Sequence, residues 1–189
     1  MIKELKLIPN ATPDIAVLIK DYDLTEGNKT NLMYRYIQKL SGFNVEKPGF
    51  RFTFLGLAQS KDPKKKINKA DATKYVTKLL EYCDTIGIKT LFCTDSQYFQ
   101  ILTGRSKLED SIDGVYPCCL DSYEHITVLP SLHYNAVVMA PQKESLLEKS
   151  LKILAMHING NYTKPGSDVL QKYTVCDIPQ KLKLYLESI

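Results

Sequence analysis

Residues 91–104 constrain the fold more than any other part of this chain. Leu91-Phe92-Cys93 is an apolar, β-favouring run, Thr94-Asp95-Ser96 is a sharp polar turn, and a short amphipathic helix follows, closed by Gly104. That order predicts a buried strand that delivers its carboxyl end to a helix amino terminus, with Asp95 and Ser96 at the junction. Open α/β sheets bind ligands at such junctions, because helix N–H groups and the helix dipole point outward there. A second strand-to-loop exit follows at Val128-Leu129-Pro130-Ser131-Leu132-His133-Tyr134. The two turns fit one edge of one sheet; an ordinary βα turn is the plain alternative for each.

The rest of the chain alternates in the same manner, and 189 residues suit one domain. Residues 3–8 and 14–19 are short apolar runs around Pro9-Asn10-Ala11-Thr12-Pro13, readable as strands or as an extended arm. Leu32, Met33, Tyr36, Ile37 and Leu40 recur at helical spacing over 28–40, and Ser41-Gly42 stops that helix. Residues 50–57 are aromatic and β-favouring. A strong helix is expected over 69–86 from the stripe Ala72, Tyr75, Val76, Leu79, Leu80, Cys83 and Ile86, with Asn68 as its cap and Gly87 as its stop. Residues 88–94, 125–129 and 135–140 read as strands, 105–124 as irregular and 145–158 as a second strong helix. Residues 173–178 read as extended and 179–188 as helical, with Pro179 near the first position. This alternation predicts a three-layer α/β/α sandwich with a mainly parallel four-stranded central sheet, built from 50–57, 88–94, 125–129 and 135–140.

Composition narrows the chemistry. A net charge of +4 does not by itself argue for nucleic acid. The basic residues concentrate at Lys61, Lys64, Lys65, Lys66 and Lys69, which read either as a solvated loop or as a phosphate contact. The 5 cysteines include no C-x-x-C pair, so neither a disulfide framework nor a zinc site is suggested. Cys83, Cys93 and Cys176 read as core. The start of the chain has no apolar signal segment, and no apolar run reaches the ~18 residues a membrane span needs. An intracellular, reduced protein with no membrane partner is expected. No carboxylate pair falls at two strand ends beside a histidine, no G-x-S-x-G surrounds Ser96 or Ser131, and neither phosphate-loop glycine motif occurs. No metal and no cofactor are therefore expected. His125 and His157 read as structural, whereas a protonatable His133 in a loop after a strand suits stabilisation of a developing anion. Tyr98, Phe99, Tyr116, Tyr123 and Tyr134 read either as stacking faces for bases or as a chance cluster.

With those residues in hand, the stretch 50–158 resembles the uracil-DNA glycosylase superfamily. Its compact members run a strand into a short helix ending near glycine, then an irregular segment, then a strand ending in a His-Pro-Ser loop. Residues 91–104, Asp113-Gly114 and residues 128–134 follow that order. Thr94 to Gly104 and Leu129 to Tyr134 look more closely like the glycosylase-like domain at the amino end of some bacteriophage family A DNA polymerases. Tyr173-Thr174-Val175-Cys176-Asp177-Ile178-Pro179 is similar to the lead-in of a polymerase 3′–5′ exonuclease domain. The resemblance implies an amino-terminal extension at 1–45 packing on the core, a glycosylase-like domain at 46–160, and a linker with the start of an exonuclease-like domain at 161–189. A free-standing small protein is the alternative.

Two departures bear on activity. The family's Gly-x-Asp/Glu-Pro-Gly loop is reduced here to Asp62-Pro63 followed by Lys64, at longer spacing from the strand. Leu129 stands where the His-Pro-Ser loop carries its histidine. Losing water positioning and leaving-group stabilisation costs roughly a hundredfold or more each. The resemblance thus implies a degenerate glycosylase-like domain of a phage DNA polymerase, acting in the cytoplasm of the bacterial host. Its expected partners are DNA, single-stranded or primer-template, or another replication protein. Lys64, Lys65, Lys66, Ser96, Ser131 and His133 are the expected DNA contacts. An active glycosylase would draw on Asp62, Asp95 and His133, and a purely protein-docking module is the third reading.

Overall fold

The computed structural model describes residues 2–20, 24, 26–45, 48–60, 62 and 65–165; for 26–31, 48 and 50 it describes the backbone alone. The described strands are β1 (Glu4–Lys6), β2 (Ile15–Lys20), β3 (Phe52–Leu57), β4 (Thr90–Cys93), β5 (Tyr116–Pro117) and β6 (Thr127–Pro130), joined in one sheet in the order β1-β3-β2-β4-β6-β5. Ile15-Ala16-Val17-Leu18-Ile19 is apolar without alternation, the pattern of a strand covered on both faces. It is the heart of the sheet: β3 and β4 run parallel on its two sides, and all five of these residues are at most 1% exposed. β6 continues the parallel set beside β4, while β1 and β5 close the two edges antiparallel.

The sheet is therefore six-stranded and mixed, not the four-stranded one expected. Its edge strands have 3 and 2 residues, too few to write a period into the sequence. Short edges also offer little unpaired backbone for association. The stretch 1–45, expected as an extension packing on the core, contains among its described residues β1, β2 and the first long helix. The helices are α1 (Glu26–Ser41), α2 (Pro48–Arg51), α3 (Lys69–Ile86), α4 (Ser96–Thr103), α5 (Tyr134–Met139) and α6 (Glu144–Ile158). The expected fourth strand, 135–140, falls in α5. A short apolar run satisfies either period, and here a cap at His133 starts a helix.

Alternate strand residues feed two apolar layers. Ala16, Leu18, Leu55, Leu91 and Val128 pack with Val76, Leu79, Leu80 and Phe99 of α3 and α4. Ile15, Val17, Ile19, Phe54, Phe92 and Leu129 pack with Leu32, Tyr36, Leu147, Leu151 and Leu154 of α1 and α6. Each Val, Leu, Ile or Phe side chain among them contributes roughly 1.5–3 kcal/mol by burial. The α3 boundaries match their sequence signals: the Asn68 side chain accepts from Ala70 N, and Gly87 takes φ +83°, which a Cβ would oppose.

The amino-terminal edge of the sheet is pinned by ions. Arg51 donates twice to Asp14, at 3.1 and 2.6 Å. Nearby, Thr90 Oγ1 lies 3.4 Å from Nε2 of the half-buried His157. Burial, and then the Arg51 charge, lowers the His157 pKa below its ordinary value of 6.5. Above that value both folded and unfolded chains hold a neutral ring, and the protein keeps its full stability. As the pH falls below it, the unfolded chain takes up the proton first and stability drops, until the folded ring titrates as well. The melting temperature is expected to fall between about pH 7 and about pH 5, and less steeply in His157→Gln. Identical slopes in the two proteins would remove His157 from this account.

Candidate functional site

The strand order reverses at β2. The chain crosses from β2 to β3 through α1 on one face, and from β3 to β4 through α3 on the other. Loops leaving β2 and β3 therefore part to opposite faces, opening a crevice at the carboxyl ends of the strands. A cleft of about 430 Å³ lies there, walled by Lys20 at the end of β2, by the segment after β3, and by the first turn of α4. That volume is in the range of ligand sites, roughly 300–1,000 Å³.

Asp95 organises the α4 wall. It is extended (φ −122°), and its Oδ1 accepts from Gln97 N at 2.9 Å and Tyr98 N at 3.2 Å. Gly104, at φ +71°, ends the helix as expected. Ser96 opens α4 at the rim. The Gln97 side chain donates to the Ile67 carbonyl at 2.9 Å, and the Tyr98 hydroxyl donates to the Ala58 carbonyl at 2.7 Å. Tyr75 of α3 bonds the Gly56 carbonyl just before the same segment.

Of the residues expected from sequence, Asp62, Asp95, Ser96, Tyr98, Lys65 and Lys66 meet around this cleft. Asp62 and Lys65 face each other at 3.8 Å on the exposed side. Lys64 lies outside the described residues. Ser131 and His133 do not line the cleft. Ser131 is 0% exposed and shares a 2.8 Å hydrogen bond with Ser150 of α6. His133 is 9% exposed, and its Nδ1 accepts from Asn135 N at 3.1 Å, capping α5. The preceding loop is held by Tyr36, whose hydroxyl donates to the Leu132 carbonyl and accepts from Tyr134 N. Leu129 is core. Of the aromatic series, Tyr98 is buried but lines the cleft, Phe99 is buried, Tyr123 packs on the core, and Tyr116 and Tyr134 lie under Arg105 and Arg35.

Lys20, Gln59, Ser60 and Gln97 also wall the cleft and were not singled out by sequence. Lys20 carried a usable signal, a cation directly after a continuous apolar run. It pointed to the cleft only once that run was known to be central.

The chemistry of the cleft is that of charge and hydrogen bonding. Burial pushes the Cys83 thiol up to about 12 and raises Cys93 and Cys118 as well, which leaves these three as thiols at neutral pH. Among the described residues no group of three or more His, Cys, Asp or Glu is placed to hold a metal ion. No described helix is long and apolar enough to cross a membrane.

Fold and cleft together define an α/β protein with a lysine-rimmed crevice at the reversal point of its sheet. No protein-family model matches the sequence, and no curated protein matches it either.

Two substitutions separate support from binding. Asp95→Ala is expected to cost about 1 kcal/mol in a denaturant titration, with Asp95→Asn close to wild type because its carbonyl still caps. His133→Ala is expected to cost about 1 kcal/mol for the same reason. Unchanged midpoints in both alanine variants would contradict the capping roles.

Proposed function

We propose that this domain holds single-stranded DNA by its phosphates at the reversal-point cleft, and that it breaks no glycosidic bond. The observation that carries the reading is the meeting of Lys20, Lys65 and Lys66 around one crevice, brought there from separate parts of the chain. Lys61 and Lys64 belong to the same loop by sequence. Of the two acids present, Asp95 is engaged in capping α4 and Asp62 faces Lys65. Lysines act as point charges, so the contact is independent of base identity and weakens steeply with salt. The resemblance to the amino-terminal domain of phage polymerases supplies the setting: such a domain would hold template strand near a replication enzyme.

The position of the acids and of His133 supports a reading without base excision. Asp62 and Asp95 border the cleft, but His133 is buried beneath α5 as its cap, away from any base seated there. Leaving-group stabilisation would have no donor from that residue. A docking reading is favoured by one observation, the exposure of Val138 and Met139 on α5, 56% and 85%. It is compatible with the cleft binding DNA.

Binding of a fluorescent oligo-dT strand, titrated over a salt series, tests the proposal. The Lys65→Gln, Lys66→Gln double variant is expected to bind more weakly, with the slope of log K against log salt shallower by about 1.4. Uracil-containing strands in the same tubes are expected to stay intact. Wild-type affinity and slope in the double variant would refute the phosphate contact, and released uracil would refute the lack of chemistry.

A further inference from the structure

The basic loop is tied at both ends to adjacent residues of one helix turn. Gln97 holds the Ile67 carbonyl at its far end, and Tyr98 holds the Ala58 carbonyl at its near end. The turn that carries them is itself fixed, because Asp95 accepts from the backbone of both residues. The Tyr98 hydroxyl is aimed by packing: the residue is 2% exposed and its ring meets Tyr75 edge-on at 6.1 Å. Tyr75 in turn bonds the Gly56 carbonyl at the end of β3. Two uncharged side chains thus anchor the two ends of a segment from which Asp62, Lys65 and Lys66 line the cleft.

We infer that Gln97 and Tyr98 are positioning residues that hold Lys65 and Lys66 in place at the wall of the cleft, so that affinity for a phosphate backbone depends on them although neither carries charge. This rests on the reading of the cleft as a phosphate-binding site. A loop tied only to its strand and helix samples many conformations, and a ligand that needs one of them must pay the ordering entropy on binding. A loop tied by Gln97 and Tyr98 has met that cost during folding. The number of phosphates contacted is set by the lysines and does not change.

The test uses Gln97→Ala, Tyr98→Phe and the double variant, with three readouts beside a thermal melt to check folding. The first is the rate of tryptic nicking after Lys65 and Lys66 in the native protein. The second is the oligo-dT dissociation constant. The third is its salt slope. Nicking is expected to accelerate in each variant, and affinity to fall about fivefold per lost hydrogen bond. The salt slope is expected to match wild type, unlike that of the lysine variants. Wild-type nicking in the double variant would overturn the inference, and so would a loss of affinity accompanied by a shallower slope. If the wild type fails to bind the strand at all, the phosphate reading falls, while the nicking rates still decide whether the two residues hold the loop.

Discussion

Burial of β2 on both faces is the constraint on which the remaining architecture depends. A strand of five consecutive apolar residues has no face to give to water, so each side of the sheet must be covered. α1 and α6 cover one side, α3 and α4 the other. Covering both sides forces the chain to cross in opposite directions from β2, and those opposite crossings open the cleft at its carboxyl end. The site is thus a by-product of how the central strand is buried, and the first polar residue after that strand, Lys20, stands in its wall.

The two loops at the carboxyl edge have been put to different uses. The segment after β3 stays polar and exposed at Lys65 and Lys66, tied down by Gln97 and Tyr98. The segment after β6 has been drawn into the core: Pro130, Ser131, Leu132 and His133 are all buried, held by Ser150 and Tyr36. A hydroxyl or ring nitrogen left unpaired at such depth is costly; the Ser131 hydroxyl pairs with Ser150, and His133 Nδ1 accepts from Asn135 N. A loop spent on internal hydrogen bonds has little left to offer a ligand.

Legibility followed the strength of local signals. α3 and α4 were readable to the residue at several ends because Asn68, Gly87, Asp95 and Gly104 do their capping within a few positions of the helix they close. β3, β4 and β6 were readable from apolar runs. β5 was not, being shorter than any period, β1 was readable only as strand or extended arm, and the run at 135–140 carries a strand signal where His133 and Tyr36 impose a helix. Within the site, Asp95, Ser96 and the lysine cluster were visible as turn chemistry and charge. Ser131 and His133 looked equally exposed on paper, because nothing near them in sequence announces Ser150 or the α5 cap.

The sequence by itself determined which stretches are strand or helix where caps and apolar runs are local, and that charge gathers at residues 61–69. Tertiary structure alone decided that β2 is central, that the lysine loop and the α4 turn share a cleft with Lys20, and that His133 is a cap. The physical reason is the range of the interactions. Caps and periodicity act over a few residues, whereas strand order and the pairing of Ser131 with Ser150 or Tyr36 with Leu132 join distant positions through burial and hydrogen bonds that exist only once the sheet has formed.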